Sequence, residues 1–447
     1  MNSIALLLIL EILLLSIAML MSQCDILAPS VIVNFMFFVS TSILSTNIIE
    51  WGVCISFTTT LVIFVALLSF TVISYFVMKL SKVNYHECCL NIPILNISRG
   101  KMIMSVVFEA FICFVYYKEV VRIASYVTQD WGMGLIWKYR QMVFYTGSLS
   151  SEQRMNPWVT QGYKITMIMA YLMLFIFISN VIVNKDRFVK NVKYLALVPA
   201  YIFMVILAGN RLAIMNMVFF SVMSWYILKN IKSGFSRKQA FKYIFKFLGI
   251  GVTVIVAFWL LTSVVQRYTK LPFWTMVSIY AGAPIQLLDQ YIIQPVEPNQ
   301  VFGQESLINI INSMYKLGLT NYHGILNLEH RTYNGVPLGN VYTTIRRFIQ
   351  DFGYVGMLIS ISLISLFYNW FYYNRIKRIN RITYKNFMRI IIYAFMSYPL
   401  FLFSIEEYFT LMWSVGYIIT LVLFYLLFFF YTKVSISNFK IQIKKEV

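Results

Sequence analysis

Charged side chains are scarce in this 447-residue chain: Asp, Glu, Lys and Arg together make up 12% of it, and the acids number only 17. Ordinary soluble domains carry about twice that share of charge. Because so few polar groups cannot cover a protein of this size in water, an ordinary soluble fold is excluded.

Cysteine and histidine are also few, at five and three residues. No cysteine lies in a segment expected outside the cell, so the sequence predicts no disulfide framework. His86, Cys88 and Cys89 stand together in a basic loop, but a metal site of this kind needs a second ligand pair. The other histidines, His323 and His330, lack the spacing of a zinc motif on a helix. We therefore predict no metal and no other cofactor.

Apolar runs are what the chain has in abundance, since 60% of its residues are hydrophobic. Runs of about 20 residues recur, each long enough to cross a hydrocarbon core of roughly 30 Å. They are continuous rather than alternating, which predicts helices. We expect an all-α polytopic membrane protein that forms a single integral membrane domain over residues 1–447. The eleven predicted spans are 1–21, 26–46, 53–78, 102–125, 162–183, 194–208, about 211 to 229, about 247 to 266, 353–373, 390–404 and 409–431.

The basic excess, a net charge of +20, is concentrated in loops on one side of these spans. Such loops are typically cytoplasmic, so we predict an outward N-terminus and a cytoplasmic C-terminus. Met1–Met21 lacks the features of a cleaved signal peptide and is predicted to remain as the first span. Dispersed basic residues without aromatic stacking platforms indicate no nucleic-acid partner. The basic segments are 79–101, 185–193, 229–246, 375–389 and 433–446.

Two longer segments face the other side. The first outer loop, 126–161, mixes aromatic and cationic residues, and the second, 267–352, is the longest predicted non-spanning segment and begins with an amphipathic pattern. Loops of this length are usually functional rather than simple connections. We therefore expect the long loop, which contains amphipathic helices, to cover the functional site.

The stretch from Gly335 to Ser360, GVPLGNVYTTIRRFIQDFGYVGMLIS, has apolar residues at helical spacing. It predicts an amphipathic helix that continues into the ninth span. Arg346, Arg347 and Asp351 are thereby placed at the membrane boundary, where charge is costly unless it is used. A structural alternative for Asp351 is a weak pair with Arg347 four residues before it.

Other unusual polar groups are predicted on the same side. Arginine offers a planar fork to phosphate oxygens, while carboxylates and histidines can transfer protons. With few acids expected beside them, these arginines suit a ligand that has more than one phosphate. For Arg211, in a short turn, a cap on helix carbonyls is an equal alternative. The set is Arg140, Arg154, Arg211, Arg267, His323, His330, Arg331, Arg346, Arg347, Asp351, Glu406 and Glu407.

Two motifs carry a resemblance to a known family. GNVYTTIRRFIQDFGYVGMLI and AGNRLAI are similar to segments of bacterial O-antigen polymerases, the Wzy-type oligosaccharide repeat-unit polymerases. The span count and the long late loop resemble that family over essentially the whole chain. The resemblance implies a GT-C-like fold in the bacterial cytoplasmic (inner) membrane. It also implies a glycosyltransferase that joins undecaprenyl-pyrophosphate-linked oligosaccharides on the outer face, with a chain-length regulator and a flippase as neighbours.

By match to these motifs, the resemblance carries Arg211, Arg346 or Arg347, and Asp351 over as functional residues. Our hypothesis makes Arg211 and Arg347 the pyrophosphate clamp, because the charge on the leaving group must be stabilised. Asp351, His323 or Glu407 is the candidate base or orienting group. The predicted substrate-binding residues are Arg140, Arg267, Arg331, Asn340, Tyr342 and Arg346.

Three other functions are alternatives to a polymerase. A lipid-linked oligosaccharide flippase is the nearest rival, but transporters place ionisable residues near the bilayer midplane and often show repeated halves, and no internal repeat is visible. An O-antigen ligase shares the large outer loop and differs in an acceptor that the sequence does not identify. A purely structural scaffold would not need the arginine and carboxylate cluster.

Overall fold

The computed structural model describes residues 3–82, 90–127, 134–145, 150, 152–235, 271–324, 326, 328–437 and 440–443, together with scattered positions between 242 and 260. Within this part the protein is mostly helical, and two small hairpins are its β-structure. The longer helices are α1 Ile4–Met21, α2 Pro29–Ser45, α3 Phe57–Ser81, α4 Arg99–Ala124, α5 Pro157–Val183, α6 Phe188–Leu207, α7 Arg211–Ser233, α8 Ala283–Ile293, α9 Ile308–Lys316, α10 Thr344–Ile376, α11 Tyr384–Met396 and α12 Val415–Thr432. Shorter helical segments are Ile48–Trp51, Leu135–Arg140, Phe273–Val277, Tyr398–Phe401 and Thr410–Met412.

Eight of the described helices are long and apolar enough to cross a membrane, which confirms an all-α polytopic architecture. They are α1, α3, α4, α5, α6, α7, α10 and α12, and α2 is a shorter apolar helix. Large apolar side chains such as Leu20, Val107 and Leu363 are exposed on their outer faces. A surface of this kind is stable in lipid rather than in water.

Nine of the eleven predicted spans coincide largely with α1 to α7, α10 and α12. The tenth, 390–404, is shorter than predicted: α11 ends at Met396, and Pro399, which cannot donate a backbone hydrogen bond, follows in a separate turn. Nearly every residue of α11 is buried, so this helix belongs to the core of the bundle. The eighth predicted span, about 247 to 266, lies mostly outside the described residues.

Polar side chains join the helices inside the bundle. Asn34 on α2 donates to Thr71 on α3 at 2.9 Å, and Ser74 on α3 donates to Asn369 on α10 at 2.7 Å. Hydrogen bonds of this type hold membrane helices in register, because apolar side chains alone give little preference for a helix over lipid. They place α10, which carries the arginine pair, against α2 and α3.

The predicted helix from Gly335 to Ser360 is wrong over its first residues. Residues Arg331–Tyr333 (β1) pair with Val336–Gly339 (β2) in an antiparallel hairpin. The two residues between them, Asn334 and Gly335, have φ of 48° and 81°, the left-handed backbone that Asn-Gly adopts in two-residue hairpin turns. Helix α10 therefore begins only at Thr344, and it bends at Gly353, where φ is 67° and ψ is −174°.

At one end of the bundle, α7 and α10 lead into the basic segments 229–246 and 375–389. This end is called the basic end below. Asp25 is fully buried there. It accepts hydrogen bonds from Tyr226 at 2.6 Å and Tyr372 at 2.8 Å, and it pairs with Lys377 at 2.6 Å. These contacts tie the turn between α1 and α2 to the ends of α7 and α10. Helices α7 and α10 begin at the opposite end of the bundle, which is here called the site end.

Candidate functional site

The arginine pair lies in the first turn of α10, and the chain after α11 fixes its position. The Thr344 amide donates to the Phe403 carbonyl at 3.2 Å, and the Thr344 hydroxyl donates to the Glu406 carbonyl at 3.1 Å. The start of the helix is thus held against residues 403–406. Arg346 and Arg347 follow directly and are almost fully buried, with 1% and 2% of their surface exposed.

Arg346 is bound by protein groups on several sides. Its Nη1 donates to Glu305, and its Nη2 donates to Glu329 Oε2 at 2.8 Å. The guanidinium also lies 4.9 Å from the ring centres of both Tyr291 and Tyr342, within the range of cation–π attraction. Since two carboxylates and two rings surround it, Arg346 organises the site rather than offering an open face to a ligand.

Arg347 differs from Arg346 in how its N–H groups are paired. Its Nη2 lies 3.0 Å from Glu406 Oε1, but its Nε and Nη1 are buried without a hydrogen-bond partner among the described residues. A buried charged donor left unpaired is costly, and natural structures rarely leave one without a reason. The unmet Nε and Nη1 donors point to different sides of the guanidinium, and each can donate to an anionic oxygen such as that of a phosphate.

Glu406 and Glu407 lie beside Arg347 but are held differently. Burial raises the pKa of the Glu406 carboxyl to about 7, although Arg347 opposes the shift. Glu407 accepts from the Thr410 amide at 2.7 Å and from the Thr410 hydroxyl at 2.5 Å, and burial raises its pKa as well, again opposed by Arg347. Glu406 can therefore exchange a proton near neutral pH, while Glu407 holds the turn that follows it.

Asp351 anchors the long loop onto α10. Its carboxylate accepts from Asn299 at 2.6 Å, from the Ser306 amide at 2.7 Å and from the Ser306 hydroxyl at 2.5 Å, and the Glu305 amide lies 3.2 Å away. No ion pair between Asp351 and Arg347 appears within the described part of the chain. Asp351 thus places Glu305 against Arg346, which makes it a positioning residue.

Arg211 and Arg140 form a second group. The turn between α6 and α7 places Gly209 at a φ of 63°, and the Arg140 guanidinium donates to the Gly209 carbonyl. Arg211, also buried, donates to the Tyr280 hydroxyl at 3.1 Å and lies 5.4 Å from the centre of that ring. Arg140 therefore lies beside the turn that leads into Arg211.

The two groups are distinct in space. Tyr280, which contacts Arg211, and Tyr291, which contacts Arg346, lie on one helical segment from Phe273 to Ile293. Tyr291 follows Tyr280 by eleven positions, which correspond to about 16 Å along a helix at 1.5 Å per residue. Arg211 contacts Tyr280 whereas Arg347 contacts Glu406, so the two halves of the hypothetical clamp belong to different groups of side chains.

The remaining candidates fall into two classes. Arg331 pairs with Glu329 at 3.2 Å, and the Tyr342 hydroxyl donates to the Glu329 carbonyl at 3.1 Å, so both belong to the Arg346 cluster. The His323 ring packs instead against Tyr315, and the Asn340 amide reaches the Leu328 carbonyl at 3.5 Å. Arg267 and the group of His86, Cys88 and Cys89 lie outside the described residues.

The expectation of few acids near the arginines is wrong. Five carboxylates belong to the cluster that contains these three arginines. Burial raises the pKa of the Glu305 carboxyl, and Arg346 opposes this shift. Glu305 was missed because no helical period or motif marks it in QPVEPNQVFGQES. The carboxylates are Glu305, Glu329, Asp351, Glu406 and Glu407, and the arginines are Arg331, Arg346 and Arg347. Within the described part of the chain, no group of three or more His, Cys, Asp or Glu side chains is arranged to hold a metal ion.

Comparison with known proteins gives no match: no family model fits the chain, and no curated protein or solved structure is significantly similar to it. The function is therefore argued from the residues and their geometry.

Proposed function

We propose that the protein is a membrane glycosyltransferase that polymerises undecaprenyl-pyrophosphate-linked oligosaccharide repeat units into a surface polysaccharide. The observation that carries this proposal is Arg347, a buried guanidinium with two unmet N–H groups beside Glu406, whose pKa is raised to about 7. An anion-binding donor and a proton acceptor are the two groups that transfer from a pyrophosphate donor needs. The resemblance of GNVYTTIRRFIQDFGYVGMLI to O-antigen polymerases supports the same reaction.

In the proposed reaction, a sugar hydroxyl of a new lipid-linked repeat unit attacks the anomeric carbon of the growing glycan. A carbon–oxygen bond forms there as the bond to the lipid pyrophosphate breaks. The proton of the hydroxyl passes to Glu406, and the free donors of Arg347 bind the departing pyrophosphate. Arg346 and Asp351 hold the surrounding loop, and Arg211 with Tyr280 offers a second contact for an anionic or sugar group.

The charge distribution supports an outer-face reaction. Helices α7 and α10 both begin at the site end and lead into basic segments at the other end. Basic loops are typically cytoplasmic, so the proposal places Arg347 at the outer face of a bacterial cytoplasmic membrane and the C-terminus in the cytoplasm. A lipid-linked substrate, a chain-length regulator and a flippase are available in that membrane.

The proposal is tested by substituting Arg347 in a complemented deletion strain. Arg347→Ala is expected to lower polymerisation on the order of 10²–10³-fold, the usual cost of losing one such donor, and to leave single repeats on the cell surface. Arg381→Ala is the matched control, because Arg381 is an exposed arginine in the basic segment 375–389 at the other end of the bundle, and its glycan ladder should stay normal. Full-length chains made by stably inserted Arg347→Ala protein would remove this residue from the mechanism.

One observation favours a transporter as the second candidate. Glu11 on α1 and Glu109 on α4 are buried inside apolar helices, and each has a carboxylate oxygen without a hydrogen-bond partner in the described structure. Intramembrane carboxylates are typical of proteins that move substrates or ions. A deletion strain separates the functions, since loss of a polymerase leaves single repeats on the surface and loss of a flippase leaves none.

A further inference from the structure

Glu109 lies in the middle of α4 and takes no part in the arginine site. It is the eleventh residue of a 26-residue helix, about 15 Å from the first residue at 1.5 Å per residue. That distance is half of a hydrocarbon core of roughly 30 Å. The side chain is 2% exposed, its Oε1 has no hydrogen-bond partner, and it forms no ion pair with any described residue.

A second unpartnered oxygen lies opposite, on α5. Gly162 packs so closely on Ile112 that an added Cβ would lie 2.6 Å from the isoleucine Cδ1. Helices α4 and α5 run in opposite directions, so one turn further inward brings Glu109 on α4 level with Thr166 on α5. Thr166 is fully buried, and its hydroxyl has no partner among the described residues. Two unsatisfied polar groups therefore lie at one depth between the same two helices.

A polar stripe leads from this position to the basic end. Lys101, Ser105 and Glu109 follow each other at four-residue intervals on the buried face of α4. The Ser105 hydroxyl is 2.6 Å from the Tyr431 hydroxyl of α12, and the Lys101 ammonium donates to the Tyr431 carbonyl at 3.1 Å. Lys101, Ser105 and Tyr431 thus place polar groups between the basic end and Glu109, along which a proton could pass.

The surroundings decide what Glu109 can bind. An ionised carboxylate buried without a counter-ion is far less stable than a protonated one. Lys101, the nearest cation on the same face, lies two turns away and is bound to backbone carbonyls. The three side-chain oxygens of Glu109 and Thr166 are too few for a hard metal cation, which takes six or more ligands. On α4 itself the other titratable groups are Arg99, Lys101, Cys113, Tyr116, Tyr117, Lys118, Glu119 and Arg122. On the elements packed against this part of α4 they are Lys138, Tyr139, Arg140, Tyr163, Lys164, Tyr171, Lys193, Tyr194, Tyr201 and Tyr431.

We propose that Glu109, together with Thr166, is a membrane-embedded proton-binding site, and that its proton exchanges with the basic end through Ser105 and Tyr431. The carboxyl carries the proton as a neutral acid, and the Thr166 hydroxyl at the same depth is its proposed partner. The site is separate from Arg347 and Glu406 and does not rest on the polymerase proposal.

A hydrophobic carbodiimide tests this site. A protonated carboxyl group in apolar surroundings adds across the carbodiimide without losing an atom, and the adduct is located by peptide mass spectrometry. With purified full-length protein, we expect Glu109 to be labelled near neutral pH, far above the ordinary glutamate pKa of about 4.3, with labelling falling as the pH rises. Glu109→Gln should abolish the adduct on that peptide. Glu152→Gln, which alters an exposed glutamate, should leave it unchanged.

Substitutions of Thr166 and Tyr431 give two further tests of the labelling. Thr166→Val removes the hydroxyl that the proposal assigns as a donor to the ionised carboxylate, so the pH midpoint of labelling should rise. Tyr431→Phe should slow labelling after a rapid change of pH, because the hydroxyl route from the basic end is interrupted. An unlabelled Glu109 peptide across the neutral range, in a sample where the buried Glu11 is labelled, would overturn the proposal. So would a Glu109 midpoint near that of an exposed glutamate.

Discussion

At the scale of single residues, the adjacent Glu406 and Glu407 are the clearest case of like side chains with different roles. Glu407 is bound to the Thr410 amide and hydroxyl, whereas Glu406 shares its Oε1 with Arg347 and the Glu407 amide. The sequence hypothesis gave Asp351, His323 or Glu407 as the candidate base and did not include Glu406, because a sequence cannot distinguish neighbours that differ only in what folds against them. The structure favours Glu406, since its pKa is raised to about 7.

This assignment predicts a pH dependence. A base must be ionised to accept a proton, so the rate of polymerisation in membranes should rise with pH through about 7, the Glu406 pKa. Glu406→Gln should remove this rise and lower the rate on the order of 10²-fold or more. Glu297→Gln changes an exposed glutamate of the same loop and should keep the wild-type profile. An unchanged rise in the Glu406→Gln variant would exclude Glu406 as the base.

At the scale of elements, the segment from Pro295 to Ser306 covers the arginine pair because α10 holds it. Besides the bonds to Asp351, the Gln350 amide donates to the Glu297 carbonyl at 2.6 Å, and the Tyr291 hydroxyl donates to Gln350 at 2.7 Å. The structural alternative, a pair between Arg347 and Asp351, would have left this segment without its main anchor. In the structure both charges are used between elements rather than within the helix.

Asp351→Asn should therefore loosen the segment. An amide cannot accept equally from Asn299 and Ser306, and each hydrogen bond to a charged group contributes about 1.5–3 kcal/mol. We expect a loss of about 2–3 kcal/mol and faster hydrogen exchange at the Glu305 and Ser306 amides, while the amides of α9 keep their rates. Ser306→Ala removes one of these bonds and should cost about 1 kcal/mol. Unchanged exchange at these amides in Asp351→Asn would show that the anchor lies elsewhere.

At the scale of the whole molecule, the two ends of the bundle are built from different contacts. The basic end is tied by Asp25 to Tyr226, Tyr372 and Lys377. The site end is covered by segments that connect helices, namely residues 294–342 and 402–414. The polar groups at the site end therefore come from segments far apart in sequence.

The proposed orientation gives a prediction for the whole protein. In a variant without its five native cysteines, Thr332→Cys places a thiol at an exposed position of the β1–β2 hairpin, and Lys385→Cys places one at an exposed position of the basic end. A membrane-impermeant thiol reagent added to intact cells should label the first and not the second. The reverse pattern would put Arg347 on the cytoplasmic side and contradict an outer-face reaction.

The sequence by itself determined the helical membrane architecture, because continuous apolar runs must satisfy their backbone hydrogen bonds internally in lipid. It also placed Arg346, Arg347, Glu406 and Glu407 among the candidates, since charge at a membrane boundary is costly and conspicuous. Only the tertiary structure decided which of these charges meet. Glu305 and Arg346, 41 residues apart, are brought together by a loop whose path no local pattern encodes. The unmet donors of Arg347 likewise depend on the segments folded around it, because burial and pairing are properties of the assembled helices.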